Sequence, residues 1–251
     1  MIELKNVTIE KNDKTILNNV SLEIEKGKNT IIMGPSGAGK SSILKVILGL
    51  WMPDEGNVLF EGRDICKMND NELLELRKNI GMVFQGNALF DSLTVAENIL
   101  YFLPDKRKYS EAELKKKIDE LLSFVNLSGA ENLYPEELSG GMKKRVAIAR
   151  ALAFNPKVIL FDEPTTGLDP INTASVLELI DKLKVKGSTS VIVTHIIDDA
   201  IEIGDKFIVI NQGEVADSGN LQKILNSSNS FVNQFFLKRK QLLSERISFG
   251  A

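Results

Sequence analysis

Cysteine is almost absent from this chain. Cys66 is the only one in 251 residues, so no internal disulfide can form and a reducing compartment is the natural setting. Basic charge is not in excess: 31 lysines and arginines stand against 34 acidic residues, a formal net charge of −3. The basic footprint of a nucleic-acid-binding protein is therefore missing. Long apolar runs are missing too, since no stretch reaches the roughly 18–20 residues that cross a bilayer. The opening Met1-Ile2-Glu3-Leu4-Lys5 has neither the basic start nor the apolar core of a secretion signal. No internal repeat or low-complexity linker interrupts the chain. These absences point to a cytoplasmic protein without a nucleic-acid partner, whose link to any membrane must come through another polypeptide. Cys66 reads as a small, partly buried apolar residue. The composition, 43% hydrophobic and 26% charged, is that of an ordinary globular protein long enough to bury a sizeable core.

What is present alternates between sheet and helix. Ile2, Leu4 and Val7 alternate with polar residues, Asn12-Asp13 supplies a turn, and Val20, Leu22 and Ile24 alternate again up to Lys26-Gly27-Lys28. This predicts an antiparallel start. A second hairpin-like stretch follows at Asn57–Phe60, between turns at Pro53–Gly56 and Glu61-Gly62. Ile80–Phe84 predicts a short strand ending at Gln85. Ser110 and Glu113 have capping-box spacing ahead of an apolar stripe at Leu114, Ile118, Leu121, Leu122 and Val125, which predicts a helix. Another helix is expected from Ser139, with Met142, Val146 and Ala149 on one face. The continuous apolar runs Val158–Phe161 and Val191–Val193 read as strands covered on both faces, joined by a helix carrying Val176, Leu177, Ile180 and Leu183. Phe207–Ile210 and Asn211–Val215 read as a final hairpin. The alternation predicts an α/β fold with a largely parallel sheet.

One string carries chemistry on its own. Ile31-Ile32-Met33 runs into Gly34-Pro35-Ser36-Gly37-Ala38-Gly39-Lys40-Ser41-Ser42, a match to G-x-x-x-x-G-K-(S/T), and Ile43, Leu44, Ile47 and Leu48 follow at helical spacing. Strand, glycine loop and helix together give the pattern a mechanism. A phosphate chain is a dense anion, and a helix N-terminus offers backbone N–H groups and a positive dipole end. Lys40 is expected to reach the β- and γ-phosphates of a nucleotide and Ser41 to ligate Mg²⁺.

Three further positions close strands at what a parallel sheet would make one edge. Asp162 and Glu163 follow Val158–Phe161, with Asp162 placed to hold Mg²⁺ through water and Glu163 to polarise a water that attacks the γ-phosphate. Gln85 closes the strand at Ile80–Phe84, where a neutral amide can bridge metal, water and a neighbouring loop. His195, the only histidine, follows Val191-Ile192-Val193-Thr194 and is placed to contact the γ-phosphate.

Leu138-Ser139-Gly140-Gly141-Met142 resembles the signature of the ABC transporter ATPases, whose usual form ends in Gln where this chain has Met142. The phosphate loop, Gln85 as the Q-loop, Asp162-Glu163 as the Walker B pair, Gly167-Leu168-Asp169 as the D-loop and His195 as the switch histidine match in order and spacing. The resemblance covers residues 1 to about 236. It implies a P-loop NTPase of ABC type: a RecA-like, mainly parallel sheet with an antiparallel β subdomain and a helical subdomain at about 92–155, followed by a tail at 237–251. It implies an ATPase using ATP and Mg²⁺, with Ser41, Gln85 and Asp162 around the metal. It also implies a homodimer in which Ser139, Gly140, Gly141 and Asp169 of one copy serve the ATP on the phosphate loop of the other.

The segment Gln85–Asn98 lies where the family docks an integral-membrane permease, which would place the subunit peripherally on the cytoplasmic face of the inner membrane. This segment, Met142 and Thr165–Ile171 look most like the ATPases of Mla-type phospholipid transporters, implying Mce-type and small accessory subunits as further partners. Amino-acid importers and lipoprotein-release systems share much of the segment. A non-transport ABC ATPase acting on a protein assembly is the alternative of a different class. One position departs from the family. Lys11 stands where an aromatic residue usually stacks on adenine, leaving Ile9, Ile16 or a partner's C-terminal tail to supply that contact. In the tail, Phe231, Phe235 and Phe236 share a helical face expected to pack on the core, ahead of basic Lys238-Arg239-Lys240 and isolated Ile247 and Phe249.

Overall fold

The computed structural model describes residues 1–103 and 109–237. In chain order the elements are β1 (Ile2–Lys11), β2 (Lys14–Ile24), β3 (Asn29–Met33), α1 (Lys40–Ile47), β4 (Glu55–Phe60), β5 (Arg63–Asp64), α2 (Asp70–Lys78), β6 (Ile80–Val83) and α3 (Val95–Leu100). There follow α4 (Glu111–Phe124), α5 (Gly140–Leu152), β7 (Val158–Asp162), α6 (Pro170–Val185), β8 (Thr189–Thr194), α7 (Ile197–Ile203), β9 (Lys206–Asn211), β10 (Glu214–Gly219) and α8 (Leu221–Leu225). Residues 230–237 are helical again. The chain forms two compact units, one from Met1–Leu73 with the chain from Thr189 onward, the other from Leu74–Ser188.

The first unit holds an antiparallel sheet in the order β2-β1-β4-β5. Ile2 pairs with Ile24 and Phe60, and Leu4 with Leu22 and Val58, so the apolar half of each alternating strand meets on one buried face. Asn12 and Asp13 turn the first hairpin with φ of 52° and 59°, the left-handed pair that suits a two-residue turn. A second set of strands runs β10-β9-β3-β8, with β3 parallel to both β8 and β9 and β10 antiparallel to β9. Every residue of β3 and β8 is buried, the apolar Ile31–Met33 and Val191–Val193 together with the polar Asn29, Thr30, Thr189, Ser190 and Thr194. Within 230–237, Val232 and Phe236 are fully buried, while Phe231 and Phe235 stack at 5.8 Å between ring centroids. Lys238-Arg239-Lys240, Ile247 and Phe249 lie outside the described residues.

In the second unit β6 and β7 pair in parallel, and α3, α4 and α5 come between them in sequence. The capping box at Ser110 and Glu113 is formed, and α4 buries Leu122, with Val125 buried at its C-cap, while Leu114, Ile118 and Leu121 are half-buried. Helix α5 differs from the expected single face. It is buried almost all round, including Lys144 at 2% exposure and Arg150 at 6%. Cys66 is partly buried as expected, and burial pushes its thiol pKa up.

Candidate active site

In the first unit the glycine loop lies between β3 and α1. Gly34 and Gly39 have φ of 150° and 101°. A Cβ on Gly34 would stand 2.1 Å from the carbonyl oxygen of Ile210, and one on Gly39 would stand 2.9 Å from that of Ile16. Only glycine fits at either place. One backbone bond ties the loop from outside, Gly213 N–H to Ala38 O at 3.1 Å, and Gly213 is itself held by Asn18 N–H to its carbonyl at 2.9 Å. Gly39 opens α1 without a side-chain cap, and no acid occupies the first turn, so the positive end of the helix carries no competing carboxylate. Lys40 is buried, and its Nζ donates to the carbonyls of Gly34 and Pro35, both at 2.9 Å. The ammonium thus sits over the start of its own loop.

His195 joins this end by register. Met33 pairs with Thr194 across the parallel β3–β8 pair, so Gly34 and His195 leave the sheet at the same edge. His195 is exposed there. Ile9 is fully buried against the antiparallel sheet, which removes it as a contact for adenine, whereas half-buried Ile16 borders the loop at Gly39.

In the second unit Val83 pairs with Phe161, so Gln85 and the pair Asp162-Glu163 likewise leave two parallel strands at one edge. Glu163 takes a left-handed backbone, φ 48°, and is 8% exposed. A bulky side chain in that region costs about 1–2 kcal/mol and persists where function or packing holds it. Its carboxylate accepts from the Thr166 hydroxyl at 3.1 Å. Ser139 caps α5, accepting from Met142 N–H at 3.3 Å, and Ser139 and Gly140 are exposed while Gly141 is buried. Asp169 caps α6 by accepting from the N–H groups of Ile171 and Asn172, and these bonds, Asn172 first, hold its carboxyl below the usual range.

Sequence reasoning missed four polar side chains that build this unit. Lys144 Nζ donates to the carbonyls of Phe84 and Gln85 at 3.1 and 3.0 Å. Burial pushes its pKa down to about 8, against the pull of Asp162 in the other direction. Arg150 donates to the carbonyls of Asn87 and Ala88 at 2.7 and 2.6 Å. Asn98, fully buried, bonds Phe90 N–H, Phe90 O, Leu93 O and Thr94 O. Asn98 therefore faces inward at the end of the Gln85–Asn98 segment and holds its backbone. Asn172 lies against Gly141.

Beside the Gln85 loop is a cavity of about 430 Å³ in the second unit, lined by Leu74, Ile80, Phe84, Phe102, Arg150 and Phe154 among others. Phe90, Tyr101 and Phe102 form an exposed aromatic cluster nearby in sequence, with ring centroids 4.2–6.3 Å apart. Ile171, next to Asp169, is 83% exposed.

The residues proposed for a metal are a hydroxyl, an amide and a carboxylate, all oxygen donors, which suits hard Mg²⁺ rather than a softer ion. Among the described residues no group of three or more His, Cys, Asp or Glu could hold a metal by itself.

The family model described as ABC transporter matches residues 17–166. An intermembrane phospholipid transport ATP-binding protein, MlaF of Haemophilus influenzae, is 41% identical over 94% of this chain and 89% of its own length. An arginine transport ATP-binding protein, ArtM of Bacillus subtilis, is 40% identical over 95% of this chain and 99% of its own. A solved dimer of an ATP-binding cassette in a post-hydrolysis state, bound to ADP and Pi, superposes with a TM-score of 0.79 at 40% identity, covering 88% of this chain and 99% of that one.

Proposed function

The chain belongs to the ABC transporter ATPases, and from that premise we propose that it is the ATP-hydrolysing subunit that drives a membrane permease in phospholipid transport across a bacterial envelope. ATP hydrolysis is the family's activity. The lipid cargo rests on one observation, the 41% identity to the phospholipid-transport ATPase along nearly the full length of both chains. The arginine-transport relative supports a second reading, an amino-acid importer.

In this reading the glycine loop, Gly34–Ser42, wraps the triphosphate with its backbone N–H groups, and Lys40 exchanges its own loop carbonyls for the β- and γ-phosphates. Ser41, Gln85 and Asp162 are the residues that would hold Mg²⁺, which neutralises charge on the phosphates when bound. Glu163 accepts a proton from the attacking water, and His195 steadies the γ-phosphate. Two copies pair head to tail, with Ser139, Gly140, Gly141 and Asp169 of one facing the nucleotide of the other. Exposed Ser139, Gly140, Asp169 and Ile171 support such a face, as does the solved dimer of a cassette similar to this chain. Because the signature is contributed by the second copy, hydrolysis requires closure of the pair.

Among the described residues no helix is long and apolar enough to cross a membrane, so a permease would supply the span. The cavity beside Phe84 and the cluster at Phe90, Tyr101 and Phe102 are what a short permease helix would occupy, since exposed aromatics around a cleft mark docking sites. The subunit would then lie on the cytoplasmic face of the inner membrane. Co-purification from native membranes tests this. A permease with Mce-type and small accessory subunits, and ATPase stimulation by phospholipid vesicles, is the expected result. A permease whose complex responds to amino acids would replace the lipid reading. A lipoprotein-release permease would do the same, and recovery with a soluble assembly alone would remove transport.

A further inference from the structure

We propose that Lys144 and Arg150 are positioning residues for ATP hydrolysis, which tie the Phe84–Ala88 loop and its Gln85 to the helix that begins at Ser139. The proposal rests on the roles given above to Gln85 and to the signature, and goes beyond them in naming what registers one against the other.

The loop from Phe84 to Thr94 has no regular structure, and apart from turn bonds such as Asn87 N–H to Phe84 O its carbonyls turn to side chains. Four carbonyls are taken by α5. Lys144 binds those of Phe84 and Gln85, and Arg150 those of Asn87 and Ala88. Six helical residues apart, the two cations are offset by about 9 Å along the axis, enough to hold both ends of the run. Asn87 and Ala88 both take left-handed backbones, φ 61° and 52°, and alanine has no intrinsic preference for that region. The planar guanidinium fork accounts for the pair, because it presents parallel donors to two adjacent carbonyls.

Burying two cations is costly, and apolar residues could fill the same volume without desolvation. What the charges add is attachment. Lys144 also lies within the field of Asp162, so one ammonium senses the Gln85 loop and the end of β7 together. The N-terminus of the same helix carries Ser139, Gly140 and Gly141, and Arg150 and Phe84 line the neighbouring cavity. A helix bonded twice to the loop cannot shift without it. Displacement of Phe84 by an occupant of the cavity therefore reaches Gln85 and the signature as one movement.

The test uses the full chain. Lys144→Met should lower kcat about tenfold while the KM for ATP stays within about twofold, because the glycine loop is untouched. Hydrogen exchange should rise at the amides of residues 85–91, and Lys144→Arg, which keeps charge and donors, should recover at least about half of kcat. Arg150→Lys, which keeps charge but loses the fork, should show the same split and guards against a Lys144→Met chain that fails to fold. A lowered Tm with kcat, KM and loop exchange unchanged would mean packing alone and overturn the proposal. So would loss of activity in Lys144→Met without recovery in Lys144→Arg. In the permease complex, both variants should reduce stimulation relative to basal turnover. If the unaltered chain is not stimulated by any permease, the transport reading falls while the clamp is still decided by the isolated chain.

Discussion

A methyl group on Gly141 would stand 1.9 Å from Asn172 Oδ1 and 2.2 Å from its Cγ, so the side chain of α6 occupies the space that glycine leaves on α5. The same Asn172 donates through Nδ2 to Asp169 at 2.5 Å. One amide thus braces the D-loop against the signature helix. Gly141→Ala should expel Asn172, destabilise the chain by about 1–3 kcal/mol through overpacking, and slow ATP hydrolysis. Adding Asn172→Ala should restore most of the Tm but not the rate, because the brace is then absent. Thermal melts and steady-state ATPase assays on the single and double variants check it. An unchanged Tm in Gly141→Ala would mean that the helices separate freely there.

Asp217 gives a pH-dependent prediction in the first unit. Its carboxylate accepts from the Ser227 hydroxyl and, at 2.8 Å, from Ser218 N–H, with Lys223 3.5 Å away, and these partners, Ser227 foremost, hold its pKa below the ordinary value. A depressed folded pKa means stability that is present above the unfolded pKa and lost as pH falls through the folded one. Asp217→Asn should therefore cost about 0.5–1 kcal/mol at pH 7, allowing for partial solvent screening. The difference from the unaltered chain should close as pH falls below the ordinary carboxylate range and Asp217 takes up its proton. Urea melts across that range measure it, and a constant gap would assign the loss to shape rather than charge.

Local rules made much of the fold legible. The Ser110–Glu113 box starts α4 where the spacing placed it, and the unbroken apolar runs became β7 and β8. Short elements escaped because their period never completes: α3 has six residues and α7 seven. Thr94 and Glu97 do form a capping box ahead of α3, which was the available clue. Buried polar residues were the larger miss. Lys144, Arg150 and Asn98 read as surface in any hydrophobic pattern, yet each is spent on carbonyls of a loop distant in sequence or lacking structure of its own. The left-handed backbone of Glu163 has no sequence signature, since nothing local to Asp162-Glu163-Pro164 demands it. Motif strings stand out in a sequence because the phosphate chemistry proposed for them restricts residue types; their supports do not, because many side chains can satisfy a carbonyl.

Lys11 ends β1 with its Nζ 5.9 Å from the centroid of Trp51, whose ring also receives Lys45 at 4.4 Å. The lysine at the usual adenine-stacking position is thus drawn toward an indole. Lys11→Tyr should strengthen ATP binding about fivefold, within the 0.5–1.5 kcal/mol of an aromatic stack. Lys11→Ala should change it little. Titration calorimetry with ATP distinguishes the two, and an unchanged Kd in the tyrosine variant would place adenine away from this hairpin.

Glu163 is held on three counts: a buried position, a left-handed backbone and the Thr166 hydroxyl. Glutamine has the same shape and can still engage that hydroxyl, but it cannot take a proton from water. Glu163→Gln should keep ATP affinity within about twofold while hydrolysis falls about a hundredfold or more, the usual cost of losing a general base. If hydrolysis releases the closed pair proposed above, the variant should accumulate as a dimer on ATP and Mg²⁺ and return to monomer when ATP is exchanged for ADP. Light scattering with each nucleotide measures this directly. Unchanged turnover would remove Glu163 from the base role, and a dimer that forms equally with ADP would separate dimerisation from the γ-phosphate.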